Sequence, residues 1–127
     1  MTQERKQRGS RAEDLAVEFL RRRGYRILER NFKLKLGEID IIAEDQDTLC
    51  FVEVRAKAEG GLVSPLESIT PSKQQKLSKL ALAYLRSRYR SLDVRSRFDV
   101  VGVIFDEQGK ESVDIVQNAF ELWSGFY

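Results

Sequence analysis

Two apolar runs on either side of an acidic turn restrict the fold of this chain more than any other feature of its sequence. The first run follows Gly37, the second ends at Arg55, and the polar segment 44–48 separates them. Short apolar runs around a polar turn predict an antiparallel β-hairpin. One predicted face carries Ile42, Leu49 and Phe51, and the other carries Ile39, Ile41, Val52 and Val54. Because both faces are apolar, we expect the hairpin at the centre of a sheet that is covered on both sides.

The centre of the turn determines which residues of the hairpin face each other. A turn centred on Gln46 and Asp47 places Asp40 directly across from Glu53. Opposed residues on one face of an antiparallel pair have Cβ atoms ~5 Å apart. Two carboxylates at that separation repel each other, and a divalent cation held between them removes the repulsion. The sequence therefore predicts a metal site on this hairpin.

Two helices and three further strands are predicted outside the hairpin. Ser10 and Glu13 form a capping box that begins the first helix, and Gly24 ends it. Thr70 as the N-cap residue, followed by Pro71, begins the second helix. The buried stripe of the second helix is predicted to be Leu77, Leu80, Ala81, Tyr84 and Leu85. The strands are predicted at 25–31, with an extension through 32–36, at 98–105 and at 112–116.

The order of these elements predicts an α/β (α+β) fold, a mixed β-sheet flanked by helices. We expect a single domain over residues 1–127, with 1–8 as a flexible basic tail. Segment 58–71 is rich in glycine and proline and is expected to form a long functional or mobile loop. The aromatic segment 119–127 is expected to pack on the core as a lid.

Composition excludes several functional classes. The chain contains no histidine, which excludes His-based triads, histidine-containing zinc sites and nucleases with a His general base. Any metal must then be a hard cation with oxygen ligands, Mg²⁺ or Mn²⁺. The one cysteine, Cys50, is expected to be a buried free thiol, which predicts a cytoplasmic protein. No apolar run approaches the ~20 residues that cross a bilayer, so no membrane partner is expected.

The charges are distributed unevenly although the net charge is only +2. Residues 1–35 carry a net charge of +6, and residues 36–127 carry −4. A basic end beside an acidic centre suits a protein that binds phosphates around a metal site. A solvated N-terminal tail is the alternative explanation, which charge alone leaves open.

The predicted metal site includes basic side chains, because strand residues two apart point to the same face. The residues on this face are Asp40, Glu53, Arg55 and Lys57. Asp40, Glu53 and the backbone carbonyl of Val54 would hold a cation that polarises a scissile phosphate and lowers the pKa of an attacking water. Arg55 and Lys57 would stabilise the charge that builds on phosphorus. An ion pair between Glu53 and Arg55 or Lys57, without metal, is the main alternative.

Residues distributed from about Gly9 to Phe120 match one known family. They are Gly9, Glu13, Ala16, Gly24, Tyr25, Asn31, the segments 37–40 and 51–55, Lys73 and the segment 97–99. On these residues the chain resembles the YraN family of uncharacterised bacterial proteins, and through it the PD-(D/E)XK nuclease superfamily. Its layout is also similar to that of archaeal Holliday-junction resolvases.

This resemblance implies a restriction-endonuclease-like fold that acts on nucleic acid, including branched DNA. It implies metal binding by Asp40 and Glu53, with a supporting carboxylate from Glu13. One position departs from the superfamily pattern, because Arg55 stands where the usual base is lysine. Arginine does not release its proton at working pH, so Arg55 can stabilise charge but cannot be a general base. Lys57, one pleat further, would take part of the lysine role.

Four residues outside the hairpin are predicted to contact nucleic acid, with DNA preferred to RNA. They are Arg8, Arg11, Lys73 and Gln74. Lys73 lies near a predicted helix N-terminus, where phosphates bind, although ordinary solvated charge also explains it. Cutting a symmetric junction would require a homodimer, an expectation that comes from the resolvase resemblance alone.

Three further acids have structural explanations. The capping box explains Glu13 as well as catalysis does. Glu38 is assigned to the start of its strand, off the active face, and Asp99 is expected to form a salt bridge with Arg97.

Two hypotheses compete with a nuclease. The first is a non-catalytic nucleic-acid-binding module that retains the nuclease fold, which the arginine at position 55 favours. The second is a metal-free interaction protein that uses the aromatic C-terminus. It predicts no salt-dependent affinity for DNA.

Overall fold

The computed structural model describes residues 3–58, 69–90 and 93–121, with side chains from Gly9 onward except for Ala58. Over these residues the chain forms two helices and five strands. In chain order they are α1 (Gln3–Arg22), β1 (Arg26–Leu34), β2 (Gly37–Asp45), β3 (Thr48–Ala58), α2 (Pro71–Tyr89), β4 (Ser96–Phe105) and β5 (Glu111–Phe120). The long loop predicted between β3 and α2 falls mostly on 59–68, outside the described residues.

All five strands form one sheet, whose spatial order is the same as their order in the sequence. β3 and β4 are parallel, and the other neighbouring pairs are antiparallel. A parallel pair needs a crossover connection, and α2 lies between β3 and β4 in the chain. The mixed sheet with helices predicted from the order of elements is therefore confirmed.

The central hairpin of β2 and β3 has the predicted register. Asp45 pairs with Thr48, and the pairing continues without a shift to Ile41 and Val52. Gln46 in the two-residue turn has a φ of 57°, in the left-handed region that tight hairpin turns use. The regular pairing ends one pair before the two predicted metal ligands, so their side chains lie where the two strands begin to separate.

Each face of the sheet is covered by one helix, so the core has two halves. The half against α2 includes Ile39, Ile42, Leu49, Phe51, Leu77, Leu80, Tyr84 and Phe98. The half against α1 includes Ala12, Ala16, Leu20, Ile41, Cys50, Val52 and Val101. Both faces of the hairpin are therefore buried, and Cys50 is the buried free thiol that the sequence predicts.

The prediction that Ile39 and Ile41 share a face is wrong. Ile39 packs on the α2 side together with Ile42, whereas Ile41 packs on the α1 side. Strict alternation would place Ile39 and Ile41 together. The β1–β2 register places Asn31 opposite Asp40, and Asn31 has a φ of 55°, in the left-handed region, so the regular pleat is interrupted at this pair. The change of face falls at Asp40, which brings this carboxylate to the boundary between the two halves of the core.

The first helix begins earlier than the sequence predicts. α1 starts at Gln3, so Ser10 lies inside the helix and the capping-box prediction is wrong. Residues 3–8, expected to be a flexible tail, belong to this helix. Gln, Glu, Arg and Lys in that segment are good helix formers, so no capping residue is needed at Ser10. The end of α1 agrees with prediction, since Gly24 follows it with a φ of 91°.

The second helix begins and packs as predicted. The Thr70 hydroxyl accepts a hydrogen bond from the Lys73 N–H at 3.3 Å, and Pro71 occupies the first turn. The predicted stripe is buried in full, consisting of Leu77, Leu80, Ala81, Tyr84 and Leu85. Within the described residues, neither helix has the length and apolar character needed to span a membrane.

The last strand is longer than predicted and includes residues assigned to a C-terminal lid. β5 runs to Phe120, whose ring stacks on Phe98 with the centroids 4.4 Å apart. Ala119 also packs against the core half on the α2 side. The remainder of the predicted lid, 122–127, lies outside the described residues.

A buried polar network lies at the start of β4, and it confirms the predicted pairing of Asp99 with Arg97. Asp99 is 0% exposed. Its carboxylate accepts hydrogen bonds from Arg97 Nε at 3.0 Å, from the Tyr25 hydroxyl at 3.0 Å and from the Asn118 N–H at 2.9 Å. Arg97 also donates to Asp45 at 2.7 Å. The network joins β4 to the end of α1, to β2 and to β5.

Candidate metal centre

The two acids predicted from the hairpin register lie in contact. Asp40 is 8% exposed, and its Oδ2 accepts a hydrogen bond from the Val54 N–H at 2.7 Å. Asp40 and Glu53 line the same groove, and the Glu53 carboxyl lies close enough to raise the pKa of Asp40. Two carboxylates at such short range repel each other when both are ionised.

Burial is the main reason why Asp40 resists ionisation. Burial raises the pKa of Asp40 well above its usual range, and the adjacent Glu53 carboxyl raises it further. The hydrogen bond from Val54 and the charge of Arg55 act in the opposite direction but are weaker. A cation placed between the two acids would favour the ionised form of Asp40.

Two more carboxylates complete the cluster, one from α1 and one from the start of β2. One carboxylate oxygen from each of Glu13, Glu38 and Asp40 lies within 4.8 Å of the others. Burial, and then the charge of Asp40, raise the pKa of Glu13, while Arg30 lowers it. Glu13 therefore lies at the site, and its predicted capping role is lost because α1 starts earlier.

The assignment of Glu38 to a position off the active face is wrong. Glu38 and Asp40 are two residues apart on β2, and the structure places both beside Glu13. Residues i and i+2 of a strand ordinarily point to the same face, so the two-residue spacing of Glu38 and Asp40 was a signal for Glu38 in the sequence.

Arg55 of β3 is partly buried beside the acids, and Lys57 is partly buried one pleat further along the strand. Arg55 Nη2 lies 4.0 Å from Glu53 Oε2, so the alternative ion pair exists, although at a long distance. Arg55 Nε and Lys57 Nζ are both buried and make no hydrogen bond to the described part of the chain. Arg55 thus has one contact with the acid pair and one donor without a partner.

The acid cluster opens into a groove between the hairpin and α2. The groove has a volume of about 390 Å³. Its acidic and β3 lining consists of Glu38, Asp40, Glu53, Val54 and Arg55, and α2 contributes Lys73 and Lys76. Lys76 was not predicted as a site residue, although it is one helical turn from Lys73. The acids of this groove can bind a cation, and the two lysines can bind a phosphate next to it.

Comparison with known proteins identifies the family. A model of the uncharacterised protein family UPF0102 matches residues 12–103. The chain belongs to this family. A UPF0102 protein of Pelobacter propionicus is 44% identical over 116 residues, which are 90% of this chain and 82% of that protein. A UPF0102 protein of Geobacter sulfurreducens is 45% identical over 114 residues, covering 90% of this chain and 88% of the relative.

A relative from a third organism has similar length as well as similar sequence. The UPF0102 protein of Persephonella marina is 44% identical over 118 residues, covering 91% of this chain and 94% of that protein. The predicted YraN membership is thereby confirmed, whereas the place of the family among PD-(D/E)XK nucleases stays a prediction.

The other predicted nucleic-acid contacts of this UPF0102 protein lie elsewhere or are already engaged. Arg11 forms a two-pronged ion pair with Glu111 of β5, at 3.1 and 3.2 Å. The Gln74 side chain donates to the carbonyl of Ile69 at 3.2 Å, which stabilises the start of α2. The Arg8 side chain lies outside the described residues. Among the four predictions, Lys73 lines the groove.

The donor atoms of the site fit a hard divalent cation. Carboxylates from Glu13, Glu38, Asp40 and Glu53, with the main chain of Val54, provide oxygen ligands and no sulfur or imidazole ligand. Magnesium and manganese prefer oxygen ligands, and Mg²⁺ is usually held by one or two carboxylates. The raised pKa of Asp40 adds a second sign of fit, because burial and the neighbouring Glu53 carboxyl oppose its negative charge and a bound cation would offset both.

We expect Asp40→Asn to stabilise the metal-free UPF0102 protein at alkaline pH. The folded-state pKa of Asp40 is raised, so the folded protein binds more protons than the unfolded chain between the unfolded pKa and the folded pKa. The contribution is fully favourable below the unfolded pKa of about 4 and is lost as pH rises through the folded pKa. Asparagine keeps an acceptor for the Val54 N–H and does not titrate.

Urea unfolding in a chelator measures this effect. As pH rises from 5 to 8.5, the variant should gain at least about 1–2 kcal/mol in the free energy of unfolding relative to the wild type, because each pH unit between the unfolded and folded pKa of Asp40 is worth up to ~1.4 kcal/mol. Asp47→Asn is the matched control, because Asp47 is exposed and pairs with the exposed Arg95. A constant difference between Asp40→Asn and wild type across this range would contradict the raised pKa.

Proposed function

We propose that this protein is a cytoplasmic, Mg²⁺- or Mn²⁺-dependent nuclease that hydrolyses phosphodiester bonds in nucleic acid, DNA in preference to RNA. The contact between the Asp40 and Glu53 carboxyls carries the proposal. Folding alone would favour an apolar pair at this place in the core, and an unpaired buried acid is costly. A site that retains both acids at such a cost is typical of function.

The groove around the acids supports nucleic acid as the substrate class. Lys73 and Lys76 on α2 stand across from the acids, and both are exposed. Lysines on the wall of a groove bind backbone phosphates, and such contacts position a nucleic acid without reading its sequence. The groove is open rather than enclosed by the described residues, which suits a polymer better than a small metabolite.

The roles of the site residues follow from their positions. Asp40 and Glu53, with the Val54 carbonyl, would hold the cation, and Glu13 and Glu38 add negative charge from the α1 side. Bound there, Mg²⁺ or Mn²⁺ supplies polarisation of the scissile phosphate and activation of the attacking water.

The two basic residues of β3 would act on the phosphate. Arg55 has a donor without a partner beside the acid pair, and it would stabilise the charge that develops on phosphorus. Lys57 would add a second positive charge one pleat further along the strand. Arg55 cannot accept a proton, so the base that deprotonates water must be Lys57, a carboxylate or solvent.

One observation favours a second candidate, a non-catalytic nucleic-acid-binding module. Glu53 and Arg55 are 4.0 Å apart in the metal-free protein, which is the ion pair that such a module would retain. A module of this kind binds through its cations and gains nothing from the acids. The resolvase resemblance leads us to expect a homodimer under the nuclease proposal, and the binding module does not require one.

Calorimetric titration with manganese distinguishes the two candidates. The wild type should bind Mn²⁺ saturably, more tightly with a branched DNA present, and Glu53→Gln should lose this binding. Asp47→Asn, which removes an exposed acid at the other end of the hairpin, should bind like the wild type. Equal absence of binding in wild type and Glu53→Gln would leave Glu53 as a salt-bridge partner and favour the binding module.

A further inference from the structure

The tip of the β1–β2 hairpin exposes two leucines beside the groove. Leu34 is 45% exposed and Leu36 is 41% exposed. Six large apolar side chains are exposed in the described part of the chain, and these two lie within three residues of each other. Scattered exposed leucines need no explanation, but a pair at one projecting tip is typical of a contact surface.

The tip is fixed to the core and directed at the site. Leu34 pairs with Gly37 across a two-residue turn, so the hairpin ends in a tight, well-defined loop. A Cβ atom added at Gly37 would lie 3.7 Å from Leu80 Cδ1, so the backbone at Gly37 lies close to α2. Leu36 itself lines the groove that contains Asp40. A ligand held by the acids therefore shares the groove with Leu36, and Leu34 lies two residues away on the same hairpin tip.

The charges at the tip indicate what the leucines contact. Lys33 and Lys35 alternate with the leucines, and both lysines are exposed. Lys33 has a long ion pair with Glu38, at 3.8 Å, and its side chain is 73% exposed. Lys73 and Lys76 line the same groove as Leu36, so four lysines lie near the leucines, with Glu38 as an acid at the tip. Nucleic acid at an unstacked base presents both negative phosphates and an apolar base face. These two features complement the lysines and the leucines.

We propose that Leu34 and Leu36 stack on an exposed base pair at a boundary between double-stranded and single-stranded nucleic acid. The inference rests on the proposed function and names its substrate class. Leucine wedges work by occupying the place of a neighbouring base, at a cost of a few kcal/mol per step in unstacking. That cost is absent where the base-pair stack already ends. The tip therefore selects forks, flaps and open ends over continuous duplex and places the adjacent phosphate at the acids.

Competitive binding in a chelator, which prevents cleavage, tests the preference. The probes are a fork, meaning a duplex with two unpaired arms, and a fully paired duplex of the same length. The wild type should bind the fork about tenfold more tightly, which corresponds to 1.4 kcal/mol. Leu34→Ser combined with Leu36→Ser should reduce the preference to within about twofold. Both positions are exposed, so the double variant should fold like the wild type.

Leu28→Ser is the matched control. Leu28 lies on the same strand and is 36% exposed, but it is about six residues, or ~20 Å, from the tip. The control should keep the wild-type preference. A 2-aminopurine at the last paired position of the fork should change its fluorescence with the wild type and with Leu28→Ser, and change much less with the double variant.

Two results would overturn the inference. The first concerns the fork preference, which would either survive in the double variant or be absent from the wild type. The second is a wild-type dimer that becomes monomeric in the double variant, which would make the tip a self-association surface. Manganese titration separates these failures from failure of the proposed function, because the double variant retains all the acids and should bind Mn²⁺ like the wild type. Absence of Mn²⁺ binding in the wild type would instead contradict the proposed nuclease function.

Discussion

Asp40→Asn is expected to reduce manganese-dependent cleavage of DNA by at least about 10³-fold and to leave the affinity for DNA within about threefold of wild type. Asp40 lies at the junction of the acid cluster, in contact with Glu53 and within 4.8 Å of both Glu13 and Glu38 through one oxygen. Asparagine has the same shape but no negative charge, so the cation loses its central ligand. Phosphate contacts from the lysines of the groove do not depend on that charge.

Asp40→Asn separates an effect on catalysis from an effect on stability, because activity should fall while the free energy of unfolding rises. Most active-site changes are difficult to interpret because lost activity can reflect unfolding. Here the same variant should be more stable than wild type in a chelator at alkaline pH, because it removes a buried acid whose ionisation opposes folding. Lost cleavage in a protein with a raised free energy of unfolding must therefore come from the site.

Single-turnover cleavage of a fork and a branched DNA, with Mn²⁺ and then Mg²⁺, measures the effect. Asp47→Asn is again the control and should cleave like the wild type. Retained cleavage in Asp40→Asn would remove the acid cluster from the mechanism. Equal loss of cleavage and of DNA affinity would assign Asp40 to binding, and absence of cleavage in the wild type with retained affinity would favour the binding module.

The hairpin and its acid pair could be predicted because both depend on local rules. The turn centre fixes the register, and the register places Asp40 opposite Glu53 whatever the rest of the chain does. The helix that covers one face was equally readable, since Thr70 and Pro71 mark its start.

What escaped prediction depends on contacts between distant segments. The family resemblance implied a supporting carboxylate from Glu13, but the residue pattern alone explained Glu13 equally well as a helix cap, because a sequence pattern gives no distance from α1 to β2. The change of face at Asp40 coincides with the left-handed backbone of Asn31 on the facing strand, an irregularity that strict strand alternation does not include. Glu38 is different, because its two-residue spacing from Asp40 was in the sequence and strand alternation includes it.

The early start of α1 also illustrates how a strong local signal can mislead. Ser10 and Glu13 have the spacing of a capping box, but residues 3–8 form helix equally well and the helix extends through them. Glu13 is thereby released from the capping role and can point to the acids. The same residue therefore has a structural explanation in isolation and a site role in the folded protein.

Asp99→Ala is expected to cause the largest loss of stability among single substitutions of charged residues outside the acid site. Asp99 is 0% exposed and accepts from Arg97, from the Tyr25 hydroxyl and from the Asn118 N–H. Alanine removes the acceptor for three donors and leaves the Arg97 guanidinium partly buried with Asp45 as its remaining acidic partner. Removing one member of a buried ion pair costs roughly 3–5 kcal/mol in the free energy of unfolding.

Urea unfolding at neutral pH tests this expectation, with Asp114→Ala as the matched control. Asp114 is an exposed acid on β5 that accepts from the N–H of its own neighbour, so its loss should cost under about 1 kcal/mol. Asp99→Asn keeps the shape and one acceptor and should lie between the two, since it loses the charge that Arg97 needs. A cost below about 1 kcal/mol for Asp99→Ala would mean that water replaces the carboxylate, and the network would then not hold β4 to α1 and β5.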